Sequence, residues 1–331
     1  MAAERALLYC AGGGIGDSLV ASIVARALRE RYAVVDALTL PSHQPLLQRV
    51  PDLDETLVDD GGDERTLAAG LSSRAYDACV VTWATARTAR VPQLARIGER
   101  VGQARRFYSF RFTRRVVVRS ELGDATSHWS DILLDFARAV GCDARGARYR
   151  VVPTPEDEAQ AQAVAPEGDF FILNPCNAVA SKRGIWPVEG WAALARELRD
   201  RFDTRVLVSG SSADAPAAEA IERAAGGRCI SIAGRTGIGA FGALARKARA
   251  FVGITTGSMH VAAAVGCPTV GIFPFQSDFP DRWAPLGRRT AIVRASYPCH
   301  RGDTKERCPD YACIAHLDRP RILAAVADLV A

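Results

Sequence analysis

The sequence predicts an α/β protein with two Rossmann-like halves. Three observations carry this. Short apolar, β-branched runs alternate with helix-period segments along the whole chain. Turns of glycine or small residues follow two of those runs, at 11–17 and 255–258. The length of 331 residues exceeds one typical core, so two domains fit better than one.

In the first half, a strand at 7–10 runs into Ala11, three glycines, Ile15, Gly16 and Asp17. A helix at about 18–31 follows. The turn contains Gly-x-Gly, but Asp17 stands where a dinucleotide fingerprint needs a small residue, and its charge would repel a pyrophosphate. Two readings of Asp17 fit: a helix N-cap, or a carboxylate held at the domain edge for chemistry. Strands are expected at 34–38, 55–58 and 79–83. Asp52-Leu53-Asp54 follows Pro51 and reads as a polar turn rather than a metal site. Residues 105–115 set five arginines among four aromatics. A solvated face is one reading; a partner that is anionic and partly apolar, such as a lipid headgroup, is the other. No recognised nucleic-acid motif accompanies this run. His128 opens a helix that Gly141 ends.

Composition shifts between about 151 and 169, and the domain boundary is placed there. The expected division is 1–152, 153–317, and a last segment 318–331. In the second half, strands are expected at 170–173, 206–209, 229–232, 251–254, 269–273 and 291–293. Helices are expected at 188–202, 215–225, 238–247, 259–265 and 319–330. The 250–274 stretch is a parallel βαβ unit, since two buried strands flank one short helix. Its Thr255-Thr256-Gly257-Ser258 turn lies at a strand's carboxyl end and a helix's amino end, where backbone N–H groups favour a phosphate. His260 sits in the first helical turn. The plain alternative is that these small residues only allow close packing.

Hydrophobic residues at 48% and charged residues at 24% fit a soluble globular protein. A net charge of +5 permits an anionic substrate or a membrane surface without requiring either. No apolar run approaches the roughly 20 residues of a spanning helix. The first residues lack the long apolar core of a signal peptide. Nine scattered cysteines, an odd number, argue against a complete disulfide framework. A cytoplasmic location is expected.

Four marks in order carry a family resemblance: Gly16-Asp17 after the first strand, the Lys182 loop before Trp186-Pro187, Thr256-Gly257-x-x-His260, and Trp283-x-Pro285-x-Gly287. With them the chain resembles glycosyltransferase family 9, the heptosyltransferase family of lipopolysaccharide assembly, over nearly its whole length. The resemblance implies a GT-B architecture, with two Rossmann-like domains facing across a cleft. It also implies that the final helix returns to the first domain. The implied reaction is metal-independent inverting transfer of a sugar, with heptose from ADP-heptose as the expectation, to a lipopolysaccharide core or related acceptor. No cofactor is implied. The implied partners are the nucleotide-diphosphate sugar and an anionic glycolipid, with peripheral contact at the inner face of the inner membrane and no nucleic acid.

Residue by residue, the resemblance makes Asp17 the general base, the role acceptor activation requires. Lys182, with Arg183 beside it, would neutralise the leaving diphosphate. Asp214 would hold the nucleotide ribose. Thr255, Thr256, Gly257, Ser258 and His260 would complete the donor site. Gly14, Arg111, Arg114 and Arg115 would serve the acceptor.

Three departures stand out. Thr255 replaces the Asp that the family usually carries, so a neutral hydrogen-bonding group stands where a carboxylate would contact the donor sugar. Ser22-Ile23 replaces a common Thr-Pro. Arg183-Gly184-Ile185 lengthens the usual Lys-x-Trp-Pro run. Two other functions stay open on the residues: a nicotinamide enzyme using Gly12 to Gly16 with Asp36 on the ribose, and a nucleotide-sugar epimerase. Cys299, Cys308 and Cys313, with His300 and His316, lack a Cys-x-x-Cys pair, and no metal is expected.

Overall fold

The computed structural model describes residues 4–175, 186–275, 279–298, 308 and 312–331. The chain forms two compact units, 1–152 and 153–331. Each is a six-stranded, wholly parallel sheet covered by helices.

The first sheet contains β1 (Arg5–Tyr9), β2 (Val34–Thr39), β3 (Thr56–Val58), β4 (Ala78–Val81), β5 (Glu99–Gln103) and β6 (Arg114–Val116). Their order is β3-β2-β1-β4-β5-β6. β1 registers on both central neighbours, with Leu7 opposite Asp36 and Cys79. Strands buried on both faces read as continuous apolar runs, which is why Ala6, Leu7, Leu8 and Tyr9 are all buried. The helix Ile15–Leu28 follows β1 and buries Leu19, Val20, Ile23 and Val24.

The second sheet contains β7 (Phe170–Asn174), β8 (Arg205–Val208), β9 (Ile230–Ser231), β10 (Ala250–Ile254), β11 (Thr269–Phe273) and β12 (Thr290–Arg294). Its order is β12-β11-β10-β7-β8-β9. Taken outward from the strand that comes first in sequence, the two sheets share one topology. Each reverses direction once, between β1 and β4 in the first and between β7 and β10 in the second. Ligands of open α/β sheets bind outside the carboxyl ends of strands at such a reversal.

The final helix, Arg319–Val330, packs on the second unit. Ile322, Leu323 and Val326 are buried in the core of the second unit, with Trp191, Val252 and Val270. Its Arg319 also pairs with Glu197 of that unit at 2.7 Å.

Candidate functional site

In the first unit, the loop after β1 and the loop after β4 meet at the sheet's reversal. Gly13 has φ +69°, a left-handed turn that glycine adopts at no steric cost. A side chain on Gly12 would run into the Trp83 ring, whose Cδ1 lies 2.0 Å from where the Cβ would stand. The chain therefore turns tightly beneath Trp83 and enters the Ile15–Leu28 helix.

Asp17 is the third residue of that helix, with Gly14 as N-cap. It is thus not the N-cap itself. Its Oδ2 accepts the Gly14 N–H at 2.7 Å, satisfying one of the helix's orphan donors from inside the first turn. The carboxylate is half-buried and lines a small pocket with Gly12, Ser18, Thr82, Trp83 and Trp129. Cys10 lines it too, but burial pushes its thiol up to about 12, so it stays protonated and packs rather than reacts.

A neighbour missed in the sequence is His43, buried in the turn after β2. The Ser18 hydroxyl donates to the Cys10 carbonyl at 3.1 Å, so toward His43 Nδ1, 2.9 Å away, it must accept. This network assigns the His43 proton to Nδ1. Burial lowers the His43 pKa, against an opposing pull from the Asp17 charge. Nothing in the sequence spacing linked the two.

Asp36, the ribose ligand of the nicotinamide reading, is committed elsewhere. It is buried, accepts the Tyr76 hydroxyl at 2.5 Å and the Glu55 N–H at 3.1 Å, and pairs with Arg5. Asp52 pairs with Arg26 and Arg150, and Asp54 with Arg29, which fits the polar-turn reading.

The arginine-aromatic run is folded into the edge of the first sheet. It spans a loop, the short 3-10 turn Ser109–Arg111, and edge strand β6, which carries Arg114 and Arg115. Arg111 donates to Gln93 and lies over the Phe110 ring at 4.8 Å. Arg114 pairs with Glu99 at 3.0 Å. Arg115 is exposed, and no ion pair to it is formed among the described residues.

In the second unit, the reversal brings together the ends of β7 and β10. The helix Gly257–Ala264 starts there, with Thr256 as N-cap in extended conformation. Met259 and His260 donate to the Thr256 carbonyl, while Gly257 and Ser258 have no carbonyl a turn behind them. Thr255 gives its N–H to Ile272. His260 is buried.

Two polar atoms here point to a ligand. Thr256 Oγ1 and Asn174 Oδ1 are buried and make no hydrogen bond among the described residues. Asn174, 1% exposed, ends β7. Its amide nitrogen faces the Ser209 carbonyl at 3.3 Å and the Ser209 hydroxyl at 2.9 Å, and a carbonyl only accepts. That fixes which end of the amide is free. Gly253 beside it leaves room for its neighbours, since a Cβ there would stand 2.5 Å from the Phe251 ring and 3.1 Å from the Asn174 Cβ. An unpaired buried acceptor costs about 1–3 kcal/mol, so such atoms call for a partner. The sequence signal was available: a lone Asn closing an otherwise apolar strand.

Asp214 lies in the turn after β8. Its Oδ2 accepts from the Ser211 N–H at 2.8 Å and hydroxyl at 2.6 Å. Gly210 is required there, because a Cβ would sit 2.7 Å from the Asp214 Cβ. Trp186 is buried edge-to-face on Trp191, which makes it a packing residue at the start of the Val188–Phe202 helix. Lys182, Arg183, Cys299 and His300 lie outside the described residues. Among the described residues, no three His, Cys, Asp or Glu side chains cluster as a metal site.

A family model, glycosyltransferase family 9 (heptosyltransferase), matches residues 65–310. The chain is 25% identical over 323 residues to lipopolysaccharide heptosyltransferase 2 of Salmonella typhimurium, covering 88% of this chain and 89% of that one. The Escherichia coli protein of the same name is also 25% identical, over 324 residues, with the same coverage. In fold the chain is similar to E. coli ADP-heptose lps heptosyltransferase II, with TM-score 0.80 at 22% identity and 98% of both chains covered. It is likewise similar to E. coli heptosyltransferase WaaC with ADP, with TM-score 0.74 at 14% identity, covering 98% of this chain and 99% of that one. These likenesses place the two α/β units in the GT-B fold class.

Proposed function

The chain belongs to glycosyltransferase family 9, and from that premise we propose that it transfers heptose from ADP-heptose to the core of a lipopolysaccharide acceptor. The similarity over 323 residues to lipopolysaccharide heptosyltransferase 2 carries this reading. It spans both units rather than one nucleotide-binding half.

Transfer with inversion needs a base for the acceptor hydroxyl and donors for the leaving diphosphate. In this reading Asp17 takes the proton. Its position supports the role: half-buried, at the carboxyl end of β1, fixed by Gly14, and open to the pocket under Trp83. The acceptor lies over Gly14, with Arg111, Arg114 and Arg115 meeting its anionic groups. Lys182 and Arg183 neutralise the diphosphate.

The N–H groups of Gly257 and Ser258 receive phosphate oxygens, and Thr256 Oγ1 donates to one. Asn174 Oδ1 accepts from the donor or from a water bound with it. Thr255 meets the sugar, His260 stands behind the phosphate turn, and Asp214 holds the ribose. No helix among the described residues is long and apolar enough to cross a membrane. The reading places the enzyme at the inner face of the inner membrane, where such an acceptor is found.

A thermal-shift series with ADP, UDP and GDP sugars tests the donor half. ADP-heptose should raise the melting temperature most, since a ligand at about 100 times its Kd adds about 2.7 kcal/mol. A larger shift with a UDP or GDP sugar would remove ADP-heptose as the donor.

A further inference from the structure

The rim of the first sheet carries two exposed phenylalanines, Phe107 and Phe110, at 84% and 61% exposure. They belong to the segment between β5 and β6, and their exposure is built in rather than incidental. The residues between and after them are anchors. Tyr108 is buried and its hydroxyl donates to the Ala84 carbonyl at 2.5 Å. Ser109 is buried, donates to the Gln103 carbonyl at 2.6 Å and accepts the Arg106 N–H at 3.0 Å. Phe112 is buried against Gly102, where a Cβ would come within 2.2 Å of its ring. Pinned at 108, 109 and 112, the chain holds rings 107 and 110 outward.

Charge surrounds these rings. Arg105, Arg111 and Arg115 form no ion pair with an acidic side chain among the described residues, and Arg105 and Arg115 are exposed. Arg111 lies over the Phe110 ring at 4.8 Å. Arg106 pairs with Glu121 at 3.0 Å, and the next residue, Leu122, is 63% exposed. Holding large apolar rings in water is unfavourable by roughly 25 cal/mol per Å². A partner must be apolar where the rings enter and anionic around them. Bilayer interfaces have that profile: acyl boundary beneath, anionic headgroups above.

We propose that Phe107 and Phe110 are a membrane hook, inserting into an anionic lipid surface while Arg105, Arg111 and Arg115 engage headgroups. The proposal rests on the membrane-borne acceptor of the reading above. Tyr108 ties the hook to the loop that carries Trp83, so docking sets the Asp17 pocket at the lipid surface.

Vesicle flotation of the intact protein, with neither donor nor acceptor present, tests it. The probes are phosphatidylglycerol-phosphatidylethanolamine vesicles and phosphatidylcholine vesicles. The protein should float with the anionic vesicles, at least about tenfold more than with the zwitterionic ones, and lose most of that at about 0.5 M salt. The double variant Phe107→Ser/Phe110→Ser should partition about tenfold less or weaker still. Phe107→Ser alone, the more exposed site, should give part of that loss at an unchanged melting temperature. Wild-type flotation by the double variant, or no preference for anionic lipid, would overturn the hook. So would tighter retention on single-stranded RNA than on anionic vesicles at the same salt. Transfer to a water-soluble, deacylated acceptor separates the hook from the functional reading. The phenylalanine variant should keep that activity within about twofold, because neither ring lines the pocket. Absence of any transfer by the wild type alongside normal flotation would defeat the functional reading and leave the hook standing.

Discussion

The Asp17 carboxylate reaches back 2.7 Å to the Gly14 N–H, so one side chain both closes the glycine turn and faces the pocket under Trp83. The two roles separate by substitution. Asp17→Asn keeps an oxygen that accepts the Gly14 N–H but cannot take a proton. Its kcat should fall roughly 10²–10⁴-fold with donor Kd and melting temperature little changed. Asp17→Ala loses the turn contact as well and should be destabilised by about 1 kcal/mol. A kcat for the Asn variant within about threefold of wild type would leave only the capping role.

Thr256 Oγ1 is buried and has no hydrogen-bond partner among the described residues. Thr256→Val preserves shape and removes that hydroxyl. Stability should hold or rise slightly, because an unmet buried donor is removed. The Kd for ADP should weaken about tenfold, the scale of one hydrogen bond to a charged group. Calorimetry on both proteins decides it; an unchanged Kd would show that Thr256 does not touch the nucleotide.

The acceptor arginines should not weigh equally. Arg114 is held by Glu99, whereas Arg115 has no acidic partner among the described residues. Arg115→Gln should raise acceptor KM more than Arg114→Gln and reduce its salt sensitivity, with donor KM unchanged for both. If donor KM rises in parallel, the substitutions are acting through the fold.

Thr255 stands where the family usually has Asp. Thr255→Asp should sharpen selectivity among ADP sugars by placing a charged acceptor at the sugar. An unchanged ranking would show that this position does not read the sugar.

Asp59 gives a pH prediction for stability. Burial raises its pKa, but hydrogen bonds from Arg87, Tyr9 and Gly61 outweigh that and hold it below the ordinary carboxylate value. A depressed folded-state pKa means stability that is fully present above the unfolded value, near 4, and lost as pH falls through the folded one. Asp59→Asn should therefore flatten the stability curve below about pH 4. Arg87→Met leaves a buried charge short of its cation and should cost roughly 3 kcal/mol or more at neutral pH. A curve for Asp59→Asn parallel to wild type at low pH would contradict the assignment.

Much of the fold was legible because its strands are buried on both faces and its helices carry ordinary stops. The spans Val188–Phe202, Ile238–Lys247, Thr269–Phe273 and Arg319–Val330 were read to the residue. β5 and β6 were missed. Glu99 and Arg100 in β5, and Arg114 and Arg115 in the edge strand β6, hide a strand pattern, since strands at the sheet's margin bury too little to show an apolar run. The helices Glu64–Ser72 and Ala86–Leu94 were also missed; Gly70 and Pro92 inside them broke the helical signal. Of the site, Asp17 and the Thr256 turn were visible as small-residue breaks after strands. His43 was not, because what makes it notable is a contact from Ser18 on the Ile15–Leu28 helix, far off in sequence, and Asn174 showed only as a lone polar end to an apolar strand, its partner Ser209 lying just after the neighbouring strand.

The most direct measurement is acceptor-dependent turnover. Protein, ADP-heptose and a core glycolipid lacking its outer heptose are incubated together, and both ADP and the glycolipid mass are followed. One ADP should be released per heptose gained by the acceptor, with almost none released without acceptor and both signals reduced at least about 10²-fold in Asp17→Asn. Release of ADP at the same rate without acceptor, or an altered donor sugar with no gain in acceptor mass, would contradict heptose transfer to the acceptor.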